Sequence, residues 1–81
     1  MTSLQKVLHE LMDQAAERFE VDRDALSPDD DLFTALRIDS MQALELITLL
    51  ENHFSIELPD YELQEVRDFR GLAAVIHERL A

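Results

Sequence analysis

Helical spacing of apolar residues, a scarcity of turn formers and the lack of any alternating stretch predict an all-α fold, a four-helix bundle with one short helix and a long first loop. One glycine (Gly71) and two prolines (Pro28, Pro59) are the strong breakers in 81 residues, which favours long helices over tight turns. No segment alternates apolar and polar residues over the length of a strand. Residues 1–81 are read as one domain.

Local patterns justify each element. Leu4, Val7, Leu8, Leu11, Ala15 and Phe19 recur at helical spacing and predict a first helix over residues 3–19. Thr2 and Gln5 are spaced as a capping box. Residues 20–38 form a long connection, in which Ser27-Pro28-Asp29-Asp30 reads as a turn or a short helical start. Leu26, Leu32, Phe33, Leu36 and Ile38 are too apolar for a free loop and are expected to fold back onto the core. Asp39, with Gln42 three residues on, can cap a second long helix over residues 41–54. Residues 55–59 read as extended, because the residue before Pro59 avoids the helical region. Asp60 can cap a short third helix to about residue 65. Asp68 can cap the last helix, over residues 69–80, with Leu72, Val75, Ile76 and Leu80 inward and Gly71 weakening its first turn.

Composition narrows the function. With 47% apolar residues the chain can hold a core. A domain this small buries about 60–65% of its unfolded surface, too little for a deep cleft between two lobes. The absence of cysteine excludes disulfides, thiolate chemistry and Cys-based zinc sites. Residues 1–6 carry no apolar run of signal-peptide type, and no stretch approaches the roughly 20 apolar residues of a membrane span. Eighteen acidic residues against seven basic ones give a formal net charge of −11, which argues against nucleic acid as a partner. The same excess would attract basic protein patches, or simply keep a small protein soluble. His9, His53 and His77 fall on three predicted helices without metal-ligand spacing. Asp22, Asp24 and Asp29-Asp30-Asp31 lack the glycine and glutamate of an EF-hand, so no metal site is expected beyond loose cation screening.

Asp39-Ser40-Met41 carries the functional signal. It stands where the long connection gives way to the second long helix. A serine there has free backbone N–H groups and the positive end of the macrodipole beside it, an environment that suits an attached phosphate. A Ser40–His–Asp catalytic arrangement is disfavoured, because a base must lie within hydrogen-bond reach of the hydroxyl. His53 is 13 residues along the same helix, roughly 20 Å away at 1.5 Å per residue. Advancing ~100° per residue, Ala43, Ile47, Leu50 and Phe54, with Leu46 alongside, form the face expected to be buried. Met41 and Leu44 lie off that stripe, sharing a sector with Glu45 and Thr48, and with Glu51 close by. They either widen the core contact or form a docking surface of apolar anchors rimmed by carboxylates.

These residues resemble the acyl carrier protein family. Leu36-Arg37-Ile38-Asp39-Ser40-Met41 is similar to its L-G-x-D-S-L signature. Glu45-Leu46-Ile47, Leu50-Glu51 and Phe54-Ser55-Ile56-Glu57-Leu58-Pro59 match the downstream pattern without gaps, and Val66, Asp68-Phe69 and Leu72 match the start of its last helix. The resemblance is close over residues 31–76 and looser through the first helix. It implies a bundle of acyl-carrier-protein type and a chain that catalyses nothing itself. A phosphopantetheinyl transferase would move 4′-phosphopantetheine from coenzyme A onto Ser40, and the thiol of that arm would hold acyl or aminoacyl cargo as a thioester. Implied partners are that transferase, an acyl- or aminoacyl-loading ligase or transferase, and downstream synthases with basic docking patches. Asp39, Met41, Leu44, Glu45, Thr48 and Glu51 would face them. Leu46, Ile47, Leu58 and Val66 would line an interior space for a fatty chain, or be ordinary core. A monomeric, cytoplasmic protein is also implied.

Two departures from the family pattern stand out. Arg37 replaces its glycine, where a cation either pairs with the attached phosphate or is solvated. The serine helix carries Gln42, Asn52 and His53 where primary fatty-acid carriers are often acidic, which points to a specialised acyl, polyketide-like or aminoacyl pathway. An acidic helical interaction module with no prosthetic group is the alternative. It accounts for the charge and the helices but not for the spaced motif.

Overall fold

The computed structural model describes residues 3–80, which form α1 (Leu4–Phe19), α2 (Leu32–Leu36), α3 (Ser40–Phe54), α4 (Asp60–Leu63) and α5 (Phe69–Leu80). A single 3₁₀ turn, Arg23–Ala25, interrupts the long first connection. The described residues contain no β-strand, only an isolated bridge between Asp31 and Asp68. The long connection thus holds one more helix than the sequence predicts. Five residues are too few for a periodicity to register.

Three long helices supply most of the core. Val7, Leu8, Leu11, Met12 and Ala15 of α1 are closed off by Phe69, Leu72, Ala73 and Ile76 of α5 and by Leu46 and Leu50 of α3. Helix α1 packs most extensively on α5. Ala15 and Ala73 are fully buried, and such small side chains let helix axes approach closely. Each fully buried leucine or phenylalanine contributes about 1.5–3 kcal/mol of transfer free energy. The buried centre of α1 is rotated toward Met12 and Ala16, leaving Leu4 40% exposed at its start. In α3 burial centres on Leu46 and Leu50, while Ala43, Ile47 and Phe54 are half-buried. Leu80, expected inward, is 37% exposed because α5 runs past the end of the core.

Carboxylates and hydroxyls start the helices. Ser3 accepts from the Lys6 amide, Asp31 from Thr34 and Asp68 from Gly71. Thr2, half of the expected capping box, lies outside the described residues, and Ser3 fills the N-cap position. Asp60 is the first residue of α4 rather than its cap. Pro59 takes the cap position without a side-chain bond, and α4 stops at Leu63, short of the expected end. Gly71 lowers helix propensity by about 1 kcal/mol relative to alanine. A Cβ there would stand 2.9 Å from Asp68 Oδ1, so glycine makes room for the cap.

The first connection is fastened to the start of α5. The Leu32 amide donates to the Arg67 carbonyl at 2.7 Å, and the Arg70 amide donates to the Pro28 carbonyl at 2.9 Å. Arg70 Nε also donates to Asp29 Oδ1 at 2.8 Å. Leu26, Leu32, Leu36 and Ile38 are buried and Phe33 is half-buried, as their apolar character predicts. This fastening fixes α2, and through α2 the entry to α3.

Two predictions follow from these geometries. The Arg70 hydrogen bond first, and its charge second, hold the Asp29 carboxyl below its ordinary 3.8. A carboxylate whose folded value is lowered adds stability above its unfolded value, and loses it as pH falls through the folded value. Titration of Asp29 by carboxyl-detected NMR should therefore give a midpoint below 3.8 that returns to the ordinary range in Arg70→Ala. Arg37 ends α2 with φ 57°, a left-handed conformation that glycine adopts freely. Arg37→Gly should raise stability by about 0.5–1 kcal/mol in urea unfolding. An unchanged midpoint would contradict the strain at this position.

Candidate functional site

Ser40 is the first residue of α3, and its position is set from both sides. Upstream, α2 ends at Arg37, whose left-handed backbone reverses the chain, and the Arg37 and Ile38 amides both donate to the Phe33 carbonyl. Leu36 and Ile38 are buried, while Arg37, Asp39 and Ser40 are exposed. The alternation anchors the segment through two apolar side chains and turns the polar ones outward. Downstream, Asp39 closes a complete capping box. Its carboxylate accepts from the Gln42 amide at 2.9 Å, and Gln42 Oε1 accepts from the Asp39 amide at 3.2 Å.

The Ser40 hydroxyl is left open. It makes no hydrogen bond among the described residues, and the carboxylate of neighbouring Asp39 is engaged by its cap. The amides of Ser40 and Met41 lie in the first turn, where no intrahelical acceptor exists, so the positive end of the helix faces the hydroxyl. Arg37 is exposed and makes no ion pair among the described residues. The start of α3 is thus an environment that favours an anionic group. His53 stands at the far end of α3, with Nε2 3.7 Å from Glu10 Oε1. No group of three or more His, Asp or Glu among the described residues is arranged to hold a metal ion.

The outward face of α3 continues from Ser40. Met41 is 73% exposed and Leu44 56%, so neither widens the core contact. Glu45 and Thr48 are exposed beside them, with the Thr48 hydroxyl donating to the Leu44 carbonyl at 3.1 Å. Glu51 turns away from this face. It is half-buried, and its Oε2 accepts from the Leu58 amide at 2.8 Å, tying α3 to the extended 55–59 link. Arg18 Nη2 of α1 donates to Glu45 Oε2 at 2.9 Å. Local pattern does not reveal that contact, because it joins residues 27 apart on different helices.

Two clefts flank the first half of α3. One, of about 180 Å³, is apolar and lined by Leu32, Phe33, Ala43, Leu44, Ile47 and Val66 among others. Of the four residues expected to line an interior space, Ile47 and Val66 do so. Leu46 and Leu58 are instead closed core, 1% and 3% exposed. The other cleft, of about 480 Å³, opens on the Gln42 side between Phe19, Glu20, Arg37 and Ile38.

Comparison with known proteins agrees with this geometry. The family model described as "Phosphopantetheine attachment site" matches residues 9–76. An acyl carrier protein of Lactobacillus acidophilus is 31% identical over 65 residues, covering 80% of this chain and 81% of the relative. One from Helicobacter hepaticus is 33% identical over 60 residues, covering 74% and 79%. One from Thermosynechococcus vestitus is 26% identical over 76 residues, covering 94% of each. An exposed, unencumbered hydroxyl at a helix N-terminus, with an unpaired arginine close in sequence, fits a phosphodiester-linked group. The chain belongs to the acyl carrier protein family, whose prosthetic group is covalently attached 4′-phosphopantetheine.

Proposed function

We propose that Ser40 is the attachment point, and that residues 1–81 act as one non-catalytic carrier domain for acyl cargo in a specialised pathway. The observation that carries this reading is the open Ser40 hydroxyl at the first position of α3, beside a carboxylate already committed to its cap. When bound, 4′-phosphopantetheine supplies a terminal thiol at the end of a flexible tether.

The chain's own residues supply position and electrostatics. Leu36 and Ile38 hold the entry to α3, and the capping box holds its first turn, so the hydroxyl is presented at a fixed place. Asp39 Oδ1 is held by the Gln42 amide as the cap of α3. The base that takes the Ser40 proton is supplied by the phosphopantetheinyl transferase. The N–H groups of the first turn and Arg37 then face the phosphate. The apolar cleft between α2 and α3 offers an acyl group a short, greasy recess, which supports acyl over aminoacyl cargo. A specialised pathway is supported by the sparse free acidity of α3, where Glu45 and Glu51 are both engaged within the molecule. The partners are the transferase, a loading ligase or transferase, and downstream enzymes that meet Met41 and Leu44. The protein is proposed to act as a cytoplasmic monomer. Among the described residues no helix is long and apolar enough to cross a membrane.

Incubation with coenzyme A and a broad-specificity phosphopantetheinyl transferase, followed by intact mass, should show one added arm. Ser40→Ala should show none. A bare wild-type chain, or an arm retained in Ser40→Ala, would overturn the assignment.

A further inference from the structure

The two clefts beside α3 differ in size and chemistry. The apolar one, at about 180 Å³, falls below the roughly 300–1,000 Å³ of ligand-sized recesses, whereas the one on the Gln42 side, at about 480 Å³, falls within that range. The larger cleft mixes two kinds of wall. Phe19, Val21 and Ile38 give it apolar surface, and Glu20, Arg37 and Gln42 give it hydrogen-bonding groups. Those groups are unused within the fold. Gln42 commits Oε1 to the Asp39 amide, but its Nε2 makes no hydrogen bond among the described residues. The Arg37 guanidinium and the Glu20 carboxylate likewise have no partner among them. Arg37 and Gln42 lie on either side of Ser40 in the chain, three residues before it and two after.

We infer that Arg37, Gln42 and Glu20 form a resting site for the 4′-phosphopantetheine arm when it carries no cargo, the arm folding back from Ser40 into this mixed cleft. The chemistry of the wall matches that of the arm. Next to its phosphate the arm has a gem-dimethyl group and a hydroxyl, then a pair of secondary amides, then the thiol. Arg37 and Gln42 Nε2 offer donors to the amide carbonyls, and Glu20 offers an acceptor to the amide N–H groups. Phe19, Val21 and Ile38 offer apolar surface to the methyls. In the apolar cleft the same amides would lie unpaired against Phe33, Ile47 and Val66, and burying a polar group without a partner is costly. Asp22 and Asp30 also line the mixed cleft, so with Glu20 it sets three carboxylates against a single cation, Arg37. Free anions are repelled from such a wall, whereas the neutral stretch of the arm is not. Tethering selects this occupant: an arm fixed at Ser40 meets the cleft at a high effective concentration, which a free ligand of the same chemistry lacks. The apolar cleft stays open for an acyl chain, so the two recesses serve different states of the carrier.

The inference rests on Ser40 as the attachment point, and isotope-filtered NMR separates the two. Uniformly isotope-labelled protein is loaded from unlabelled coenzyme A by a broad-specificity phosphopantetheinyl transferase under reducing conditions, and intact mass reports the added arm. Nuclear Overhauser contacts from the arm's methyl and methylene protons should fall on the methyls of Val21, Ala35 and Ile38 and on the Gln42 side-chain amide. The methyls of Ile47 and Val66 should show none. Ala25 is exposed and lines the cleft, so Ala25→Phe should fill it and remove those contacts without changing the yield of loaded protein. Contacts on Ile47 and Val66 instead, or an arm with no contact beyond residues 39–41, would overturn the inference and leave Ser40 as the attachment point. Contacts that persist unchanged in Ala25→Phe would overturn it as well. A chain that gains no arm removes the Ser40 assignment first, and the inference with it.

Discussion

The capping box at Asp39 and Gln42 is the constraint on which the site depends. A helix start leaves several amides without partners, and burying or ordering that start requires acceptors. Here Asp39, the residue next to Ser40, supplies one, and Gln42 Oε1 accepts from the Asp39 amide. The cap commits Asp39 Oδ1 to the start of α3 and fixes the backbone beside the neighbouring hydroxyl. The Ser40 hydroxyl itself makes no hydrogen bond among the described residues. That suits a point of attachment and does not suit a nucleophile that must act unaided.

Placement also depends on distant contacts. The first connection would be mobile if only its turns held it. Instead the amides of Leu32 and Arg70 tie it to the region before and at the start of α5, and Leu26, Leu32, Leu36 and Ile38 bury apolar area beneath it. Helices α1 and α5 form the scaffold, α2 is fastened to that scaffold, and α3 is launched from α2. The serine is exposed, yet it is supported by buried residues on either side of the Arg37 turn. Polar side chains outside and apolar anchors inside give a loop-like segment the positional precision of a helix.

Much of this was legible in the residues. The spans of α1, α3 and α5 follow to within a residue from apolar spacing, and the Asp39–Gln42 and Asp68 caps were readable in advance, whereas the Ser3 cap of α1 was not. Helix α2 was not legible, because five residues give no periodicity. The end of α4 was misplaced for the same reason. Helical angle put Met41 and Leu44 off the buried stripe but left open whether they widened the core contact, and the packing leaves both exposed. The engagement of Glu45 and Glu51 could not. Arg18 reaches Glu45 across the α1–α3 boundary, and Glu51 caps the amide of Leu58 beyond the end of its own helix. Both contacts depend on how helices are arranged, which local pattern does not specify. The lining of the apolar cleft was half legible: Ile47 and Val66 reach it, whereas packing closes Leu46 and Leu58 into the core.

The account stands on one covalent linkage at one residue. Ser3, Ser27 and Ser55 are also exposed hydroxyls, so a whole-molecule mass alone does not distinguish the serines. Trypsin, cutting after Arg37 and Arg67, releases residues 38–67 with both Ser40 and Ser55 on one peptide. Fragmentation of that peptide from enzymatically modified protein should place the arm on Ser40, with Ser55 bare. An arm found on Ser55, or on a peptide bearing Ser3 or Ser27, would contradict the account.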